Sequence, residues 1–507
     1  MKQLKKNILL YSISTMLLLI IPLVNNISFT LGSLILFFDA LIVYFYISLN
    51  KKNFYSLNSI FSAIWLGTIS LSNLKILSYQ RIWSNETWLY LALGFLIFNI
   101  FIEIGNTKKN KRIDSILENL NFENFNNKYL FFVCLLFGFI AVFGFIMTAK
   151  ICGYIPFFSY EYNNYSNFYT KYLLLSHFSI INIPLTYYCY TKENNIVKKI
   201  CLIFIIFVQV FLIPTLAVNR GIFLIGALLL TATVYYLGKR TFLKVAICLI
   251  FAFAGYEIGS LGRHYTNELL SSSFKQNESE IIEENNQNNE ISEENQNSET
   301  IKENNSSKQN DTILEETIPT NEYSEYLEKV NDNTYIVHNT NNSLSDITFK
   351  IPEKILFIYS YLTVSHDNFD LIVKYNDEYS LGIRQLLGFD FILKRIIPNY
   401  KESLNYYYVQ FNLNTNNFLG TSISDFGIIG LIIFCAVFGF ISGFIEASYL
   451  KSNRIIDLLI LSILSYCVVL SFFSNYTCQI IFIINFVSLF FIVAILKLLE
   501  RGFSKNE

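Results

Sequence analysis

About twelve stretches of roughly twenty apolar residues constrain this 507-residue chain more than any other feature. They lie near 7–24, 28–49, 55–74, 87–105, 129–148, 171–190, 199–218, 221–237, 243–260, 427–448, 455–474 and 478–497. Twenty apolar residues in a helix match the hydrocarbon thickness of a bilayer. Inside lipid the backbone must satisfy its own hydrogen bonds, which leaves helices or a closed barrel. Runs of this length predict an all-α polytopic membrane protein. Only 15% of residues are charged, against about 25% in ordinary soluble domains. A net charge of −1 gives no overall field directed at nucleic acid.

The spacing of the cations orients the predicted bundle. Lys2, Lys5 and Lys6 precede the first stretch, and no small-x-small cleavage site follows it, so it reads as a first span rather than a removed signal. With the N-terminus inside, the inner segments collect Lys51, Lys52, Lys108, Lys109, Lys111, Arg112, Lys192, Lys198, Lys199, Lys451 and Arg454, among others. The short outer loops hold only Lys75, Arg81, Lys150, Lys171 and Arg220. The positive-inside rule then predicts cytoplasmic termini and an external segment 262–425 between the ninth and tenth spans. None of the eight cysteines lies in that segment, which excludes a disulfide framework there, and no Cys/His spacing suits a metal.

The external segment divides in two. Residues 275–322 are rich in Glu, Asn, Ser and Gln, with a degenerate repeat of about ten residues beginning at Glu280 and Glu290; such a composition predicts a disordered acidic insert. In 345–425, Ile355, Ile358, Tyr359, Leu362, Phe369, Ile372 and Val373 recur at helical spacing, as do Ile383, Leu386, Leu387, Leu393 and Ile397. Asp390 and Lys394 stand at i,i+4. Two amphipathic helices, lying on the outer membrane face or capping the bundle, are predicted.

No Walker loop, GxSxG or HExxH occurs, so chemistry must rest on individual charged residues near the outer face. Arg220 stands in the tight Asn219-Arg220-Gly221 turn, either as a cation for an anionic group or as a snorkelling charge. Glu257 and Arg263 follow one another at the end of the ninth stretch, as an orienting acid and a phosphate-binding cation or as a simple pair. Asp425 opens the tenth stretch, as a helix cap or as a site carboxylate. His366 falls on the apolar face of the first amphipathic helix, as a structural histidine or a site base, while Arg384, Lys394 and Arg395 are singly solvated charges or together a cationic group able to hold a diphosphate. Asp39 is an acid in mid-membrane without an evident basic partner.

Three of these neighbourhoods carry a family resemblance: the stretch from Leu216 to Leu224 around Asn219-Arg220-Gly221, the run from Tyr361 to Asp370, and the run from Asn414 to Gly430 with its Asp425-Phe426-Gly427. With the arrangement of nine spans, a large loop and three spans, the chain resembles the Wzy-type O-antigen polymerases, which join oligosaccharide repeat units. The resemblance covers most of the chain except 275–345.

The resemblance implies a GT-C-like helical fold in a bacterial cytoplasmic membrane and glycosyl transfer on its outer face. The donor would be a glycan on undecaprenyl diphosphate and the acceptor another lipid-linked unit, with a flippase and a chain-length regulator as partners and no cofactor. Arg220, Arg263 and Arg384 would stabilise the leaving diphosphate, and Asp425 or His366 would take the acceptor proton. Glu257, Lys394 and Arg395 would complete the substrate contacts. A flippase with two similar halves and an O-antigen ligase are the competing expectations; the uneven nine-plus-three division disfavours the flippase.

Overall fold

The computed structural model describes residues 2–107, 111–121, 126–159, 168–238, 325–331, 334–339, 352–389, 394, 396, 404–410 and 413–504. The ninth apolar stretch, the acidic insert 275–322, Glu257, Arg263, Asp390 and Arg395 lie outside the described residues.

The helices are α1 (Lys2–Asn25), α2 (Phe29–Lys51), α3 (Leu57–Asn73), α4 (Asn85–Thr107), α5 (Lys111–Leu120), α6 (Asn127–Cys152), α7 (Leu173–Phe178), α8 (Asn182–Lys192), α9 (Ile196–Leu216), α10 (Arg220–Leu237), α11 (Glu353–Tyr375), α12 (Phe418–Ser452), α13 (Ile455–Val469) and α14 (Ile480–Ser504). Eight of them, α1, α2, α4, α6, α9, α10, α12 and α14, are long and apolar enough to cross a membrane. Large apolar side chains such as Leu23, Phe38, Phe139, Ile200, Ile433 and Phe490 are exposed along them. An apolar surface of that extent requires lipid rather than water.

Three predicted spans fold differently. The stretch 55–74 becomes α3, of 17 residues, with Asn58, Ser59, Ser62, Thr68, Ser70, Ser72 and Asn73 all buried. The stretch 171–190 breaks into α7 and α8 at Phe178–Asn182. A polar side chain meets the backbone this break exposes, with Gln209 Nε2 donating to Ser179 O (3.3 Å), and Asn182 Nδ2 ties the break to α6 by donating to Cys134 O (3.1 Å). The stretch 455–474 contributes only the 15 residues of α13. In α9 a π-turn at Val208–Leu212 precedes Pro214, whose missing N–H removes an α-helical bond.

Glycine sets the closest helix contact. On α12, Gly439 and Gly443 lie one turn apart against α4; a methyl group at Gly443 would stand 2.1 Å from Ile102 O, and one at Gly439 would stand 2.6 Å from Phe98 O. Small residues four apart allow the backbone approach by which helices pack in lipid.

Two findings concern the segment after α10. The predicted helix over 355–373 forms as α11, and of the two expected positions its burial fits the one packed against the bundle: residues 363–372 are all buried. Of the second predicted amphipathic helix, Lys394 and Ile396 are helical, while residues 381–389 are instead turns with a 3₁₀ turn at Leu387–Phe389. Leu381 (φ 49°) and Gly382 (φ 95°) take left-handed backbone there, and a helix cannot run through them. The segment also holds a small sheet that helical periodicity did not predict. Strand β1 (Glu325–Asn331) pairs antiparallel with β2 (Thr334–Asn339), and β2 pairs parallel with β3 (Tyr406–Tyr408), Thr334 standing opposite Tyr406.

Connections collect on two faces. One carries the α3–α4 and α9–α10 turns, α11 and the α13–α14 connection, tied by Lys75 to Asp367, by Arg220 to Phe357 and by Phe418 N to Ser471 O (2.8 Å). The opposite face carries the α2–α3 and α12–α13 turns and the outer ends of α1 and α14. There Phe54 N donates to Tyr235 Oη (2.8 Å), and Arg454 meets Asp114 (3.5 Å).

Candidate functional site

The site is built on the α11 face, and α11 is its foundation. Four consecutive residues of α11 bond to four different parts of the chain. Ser365 Oγ donates to Phe472 O beyond α13. His366 Nε2 lies 3.0 Å from Thr68 Oγ1 of α3, and Asn417 Nδ2, at the cap of α12, lies 3.2 Å from His366 Nδ1. Asp367 Oδ1 accepts from Lys75 Nζ (3.0 Å) and Trp83 Nε1 (2.8 Å), and its Oδ2 accepts from Gln80 Nε2 (3.2 Å). Asn368 Nδ2 donates to Leu413 O (2.6 Å) and Thr415 O (2.8 Å), while its Oδ1 accepts from Val409 N (2.9 Å). Successive helical side chains project about 100° apart, so this turn is enclosed on every side.

One turn further, Asp370 accepts from Ser84 N (2.9 Å) and Thr87 Oγ1 (2.7 Å) and pairs with Arg81 Nε at 3.2 Å. Lys75 and Asp367 are 1% and 0% exposed at the side chain, and the ammonium also sits 3.8 Å above the Trp83 ring. Burial lowers the Lys75 pKa against the opposing pull of Asp367, and burial raises that of Asp370 against the pull of Arg81. Each of these charges has a matched partner and hydrogen bonds besides. That is the condition under which a buried pair is tolerated.

His366 is enclosed by the same shell, with its ring against Trp65 and Trp83. Burial, with a contribution from Lys75, holds its pKa down at about 3. The neutral imidazole spends both nitrogens on Thr68 and Asn417.

Asp425 stands at a break in α12 rather than at its start. Asn417 caps the helix, with its side chain accepting from Leu419 N (3.1 Å), and the helical path fails at Phe426 (φ −143°) and Gly427 (φ 61°). Only glycine takes that second conformation readily. Asp425 is fully buried. Its carboxylate accepts from Ser380 Oγ (2.5 Å), Arg384 N (3.0 Å) and Gln385 N (2.8 Å), and so fixes the turn that carries Arg384. Gln385 Nε2 in turn donates to Ser422 Oγ (2.7 Å).

Arg384 is the cation left over. It is 5% exposed, its guanidinium lies 4.7 Å from the Tyr406 ring centre, and one terminal nitrogen donates to Asn405 O. Its Nε is buried and meets no acceptor among the described residues. A buried N–H without a partner is destabilising and therefore looks for an acceptor.

Arg220 is the first residue of α10, where Asn219 accepts from Ile222 N (3.1 Å); its guanidinium lies 5.8 Å from the Phe357 ring centre on the first turn of α11. Lys394 is exposed. The structure thus gathers Arg220, His366, Arg384 and Asp425 on one face.

Sequence reasoning missed Lys75, Arg81 and Asp370 as buried partners and Gln385, Tyr406 and Tyr408 as neighbours of the arginine. The available signal was the pair Asp367 and Asp370, three apart on a stretch, 355–373, with no other Asp, Glu, Lys or Arg. Asp39 in α2 is buried and accepts from Ser14 Oγ (3.0 Å).

This architecture is that of a mostly helical multi-pass membrane protein. Comparison with protein-family models, with curated proteins and with solved structures returned no match.

Proposed function

We propose that the chain is a membrane glycosyltransferase of the Wzy type. It polymerises oligosaccharide repeat units carried on a polyprenyl diphosphate at the outer face of a bacterial cytoplasmic membrane, with both termini cytoplasmic. The observation that carries this reading is Arg384, a nearly buried guanidinium with a donor lacking an acceptor, held by Asp425 and stacked on Tyr406. Arginine presents a planar fork suited to phosphate oxygens, and a site of low dielectric strengthens that attraction.

A second support is convergence. The second and third stretches that resemble the polymerases are separated by about fifty residues yet meet through His366 and Asn417, and the first, more than a hundred residues earlier, touches the helix that carries the second through Arg220 and Phe357. On this reading, developing charge on the leaving diphosphate is stabilised by Arg384 and Arg220. The anomeric carbon, with oxocarbenium character, is attacked by an acceptor hydroxyl. His366 is neutral, as a proton acceptor must be, but it reaches an acceptor hydroxyl only if the Thr68 or Asn417 contact opens.

The test is reconstitution of the purified chain in liposomes with a synthetic lipid-diphosphate repeat unit. A ladder of products supports the polymerase. Single transfer to a lipid core identifies a ligase, and transbilayer movement without product identifies a flippase. Arg220→Ala is expected to abolish the ladder while leaving membrane insertion intact; near-normal ladders would remove Arg220 from the site.

A further inference from the structure

The face opposite α11 holds a second buried polar cluster that the proposed reaction does not use. It forms where the first turns of α1 and α3 meet the last turns of α2, α4 and α10 and the C-terminal half of α12. Glu103 Oε1 accepts from Asn7 Nδ2 (3.0 Å), Tyr11 Oη (3.2 Å), Asn58 Nδ2 (2.6 Å) and Lys51 Nζ (3.0 Å). Glu446 Oε1 accepts from Asn53 Nδ2, Leu57 N and Tyr236 Oη, each at 3.2 Å. The two carboxylates are 5% and 1% exposed.

Three oxygens in this cluster are buried and meet no donor among the described residues: Glu446 Oε2, Asn58 Oδ1 and Ser442 Oγ. Leu57 N, next to Asn58 at the start of α3, donates to Glu446, and Ser442 lies one turn from Glu446 on the same face of α12. The ionisable groups facing the cluster are Tyr11 of α1, Lys51 of α2, Tyr55 of the α2–α3 turn, Glu103 of α4 and Tyr236 of α10. Lys51 is their only cation among the described residues, and it already serves Glu103. A buried carboxylate with an oxygen lacking a donor is costly unless positive charge joins it.

We propose that Glu446, Asn58 and Ser442 form a binding site for one small monovalent cation, Na⁺ or a proton, on the face opposite α11. All three offer hard oxygen atoms, which suit either ion and give a soft metal no ligand. The cation neutralises the second carboxylate and bridges α3 and α12, so occupancy stabilises the packed bundle.

The test uses the purified full-length protein in detergent and follows thermal unfolding. NaCl is titrated at constant ionic strength against choline chloride, at several pH values. If the site takes Na⁺, the unfolding temperature rises saturably by about a few degrees. If it takes only a proton, Na⁺ has no effect, and acidification raises the unfolding temperature because the folded state then binds the proton more tightly than the unfolded state. In both cases Glu446→Gln abolishes the response. Ser442→Ala, a milder change, lowers the apparent Na⁺ affinity several-fold in the first case, and in the second it shifts the midpoint of the pH response. Identical Na⁺ and pH responses in the wild type and the Ser442→Ala and Glu446→Gln variants would overturn the proposal. None of these readouts depends on glycosyl transfer.

Discussion

The two ends of the bundle treat buried charge in opposite ways. On the α11 face, Asp367 and Asp370 are matched one for one with Lys75 and Arg81, and beside the buried Asp425 the Arg384 guanidinium keeps an Nε with no acceptor among the described residues. In the cluster on the opposite face, Glu103 and Glu446 share Lys51, the only cation facing them among the described residues, and the group left over is an acid. Matched pairs hold helices together. A leftover charge, buried at an energetic cost, marks where something from outside completes the structure. The polarity also fits the two proposals: an anion-seeking end where a diphosphate would leave, and a cation-seeking end beyond it.

Breaking a matched pair is expected to have the largest effect on stability. Lys75→Met leaves Asp367 buried without its cation and should destabilise the protein by about 3–5 kcal/mol. Combining it with Asp367→Leu should recover much of that loss, read as the midpoint of thermal unfolding in detergent. A double variant no more stable than the single one would show that the pair is not what docks α11.

The break in α12 comes next. Gly427→Ala places a side chain at φ 61°, with its methyl 2.9 Å from Tyr379 Oη. The expected strain is about 1–3 kcal/mol, and because Asp425 fixes the Arg384 turn from just before the break, activity should fall more than stability. Equal losses would separate the break from the site.

The smallest effect concerns His366. Its folded pKa of about 3 lies below the ordinary 6.5, so the neutral ring contributes stability above 6.5, and that contribution is lost as pH falls toward 3. Across about pH 5 to 8 the folded residue does not titrate. His366→Gln should therefore leave the shape of the activity–pH profile unchanged over that range, whatever it does to the rate. A lost inflection in the variant would show that the ring does titrate in the working enzyme.

Much of the architecture was readable from the chain. Apolar length marks the eight long helices, and the Asp425-Phe426-Gly427 run marks a true discontinuity, although the helix begins seven residues before Asp425, at Phe418, and Asp425 does not cap it. Helical spacing placed α11 but left its surroundings open. An amphipathic pattern tells how a helix's apolar positions are arranged, and it does not tell whether the polar positions meet water or buried partners. Lys75 and Asp367 are 292 residues apart, and no local pattern joins them. Strand β3 was hidden because Tyr406-Tyr407-Tyr408 is too short for any alternation to show, and the left-handed pair Leu381-Gly382 overrode the helical spacing of the residues after it.

The account rests most heavily on Arg384 as the leftover cation that receives a lipid diphosphate. The direct measurement compares wild type with Arg384→Ala and Arg384→Lys in liposomes supplied with a synthetic lipid-diphosphate repeat unit, with unfolding temperature followed in parallel. The account predicts a product ladder from the wild type, a loss of about 10²–10³-fold in the alanine variant at unchanged unfolding temperature, and partial activity in the lysine variant. A full ladder from Arg384→Ala would contradict it.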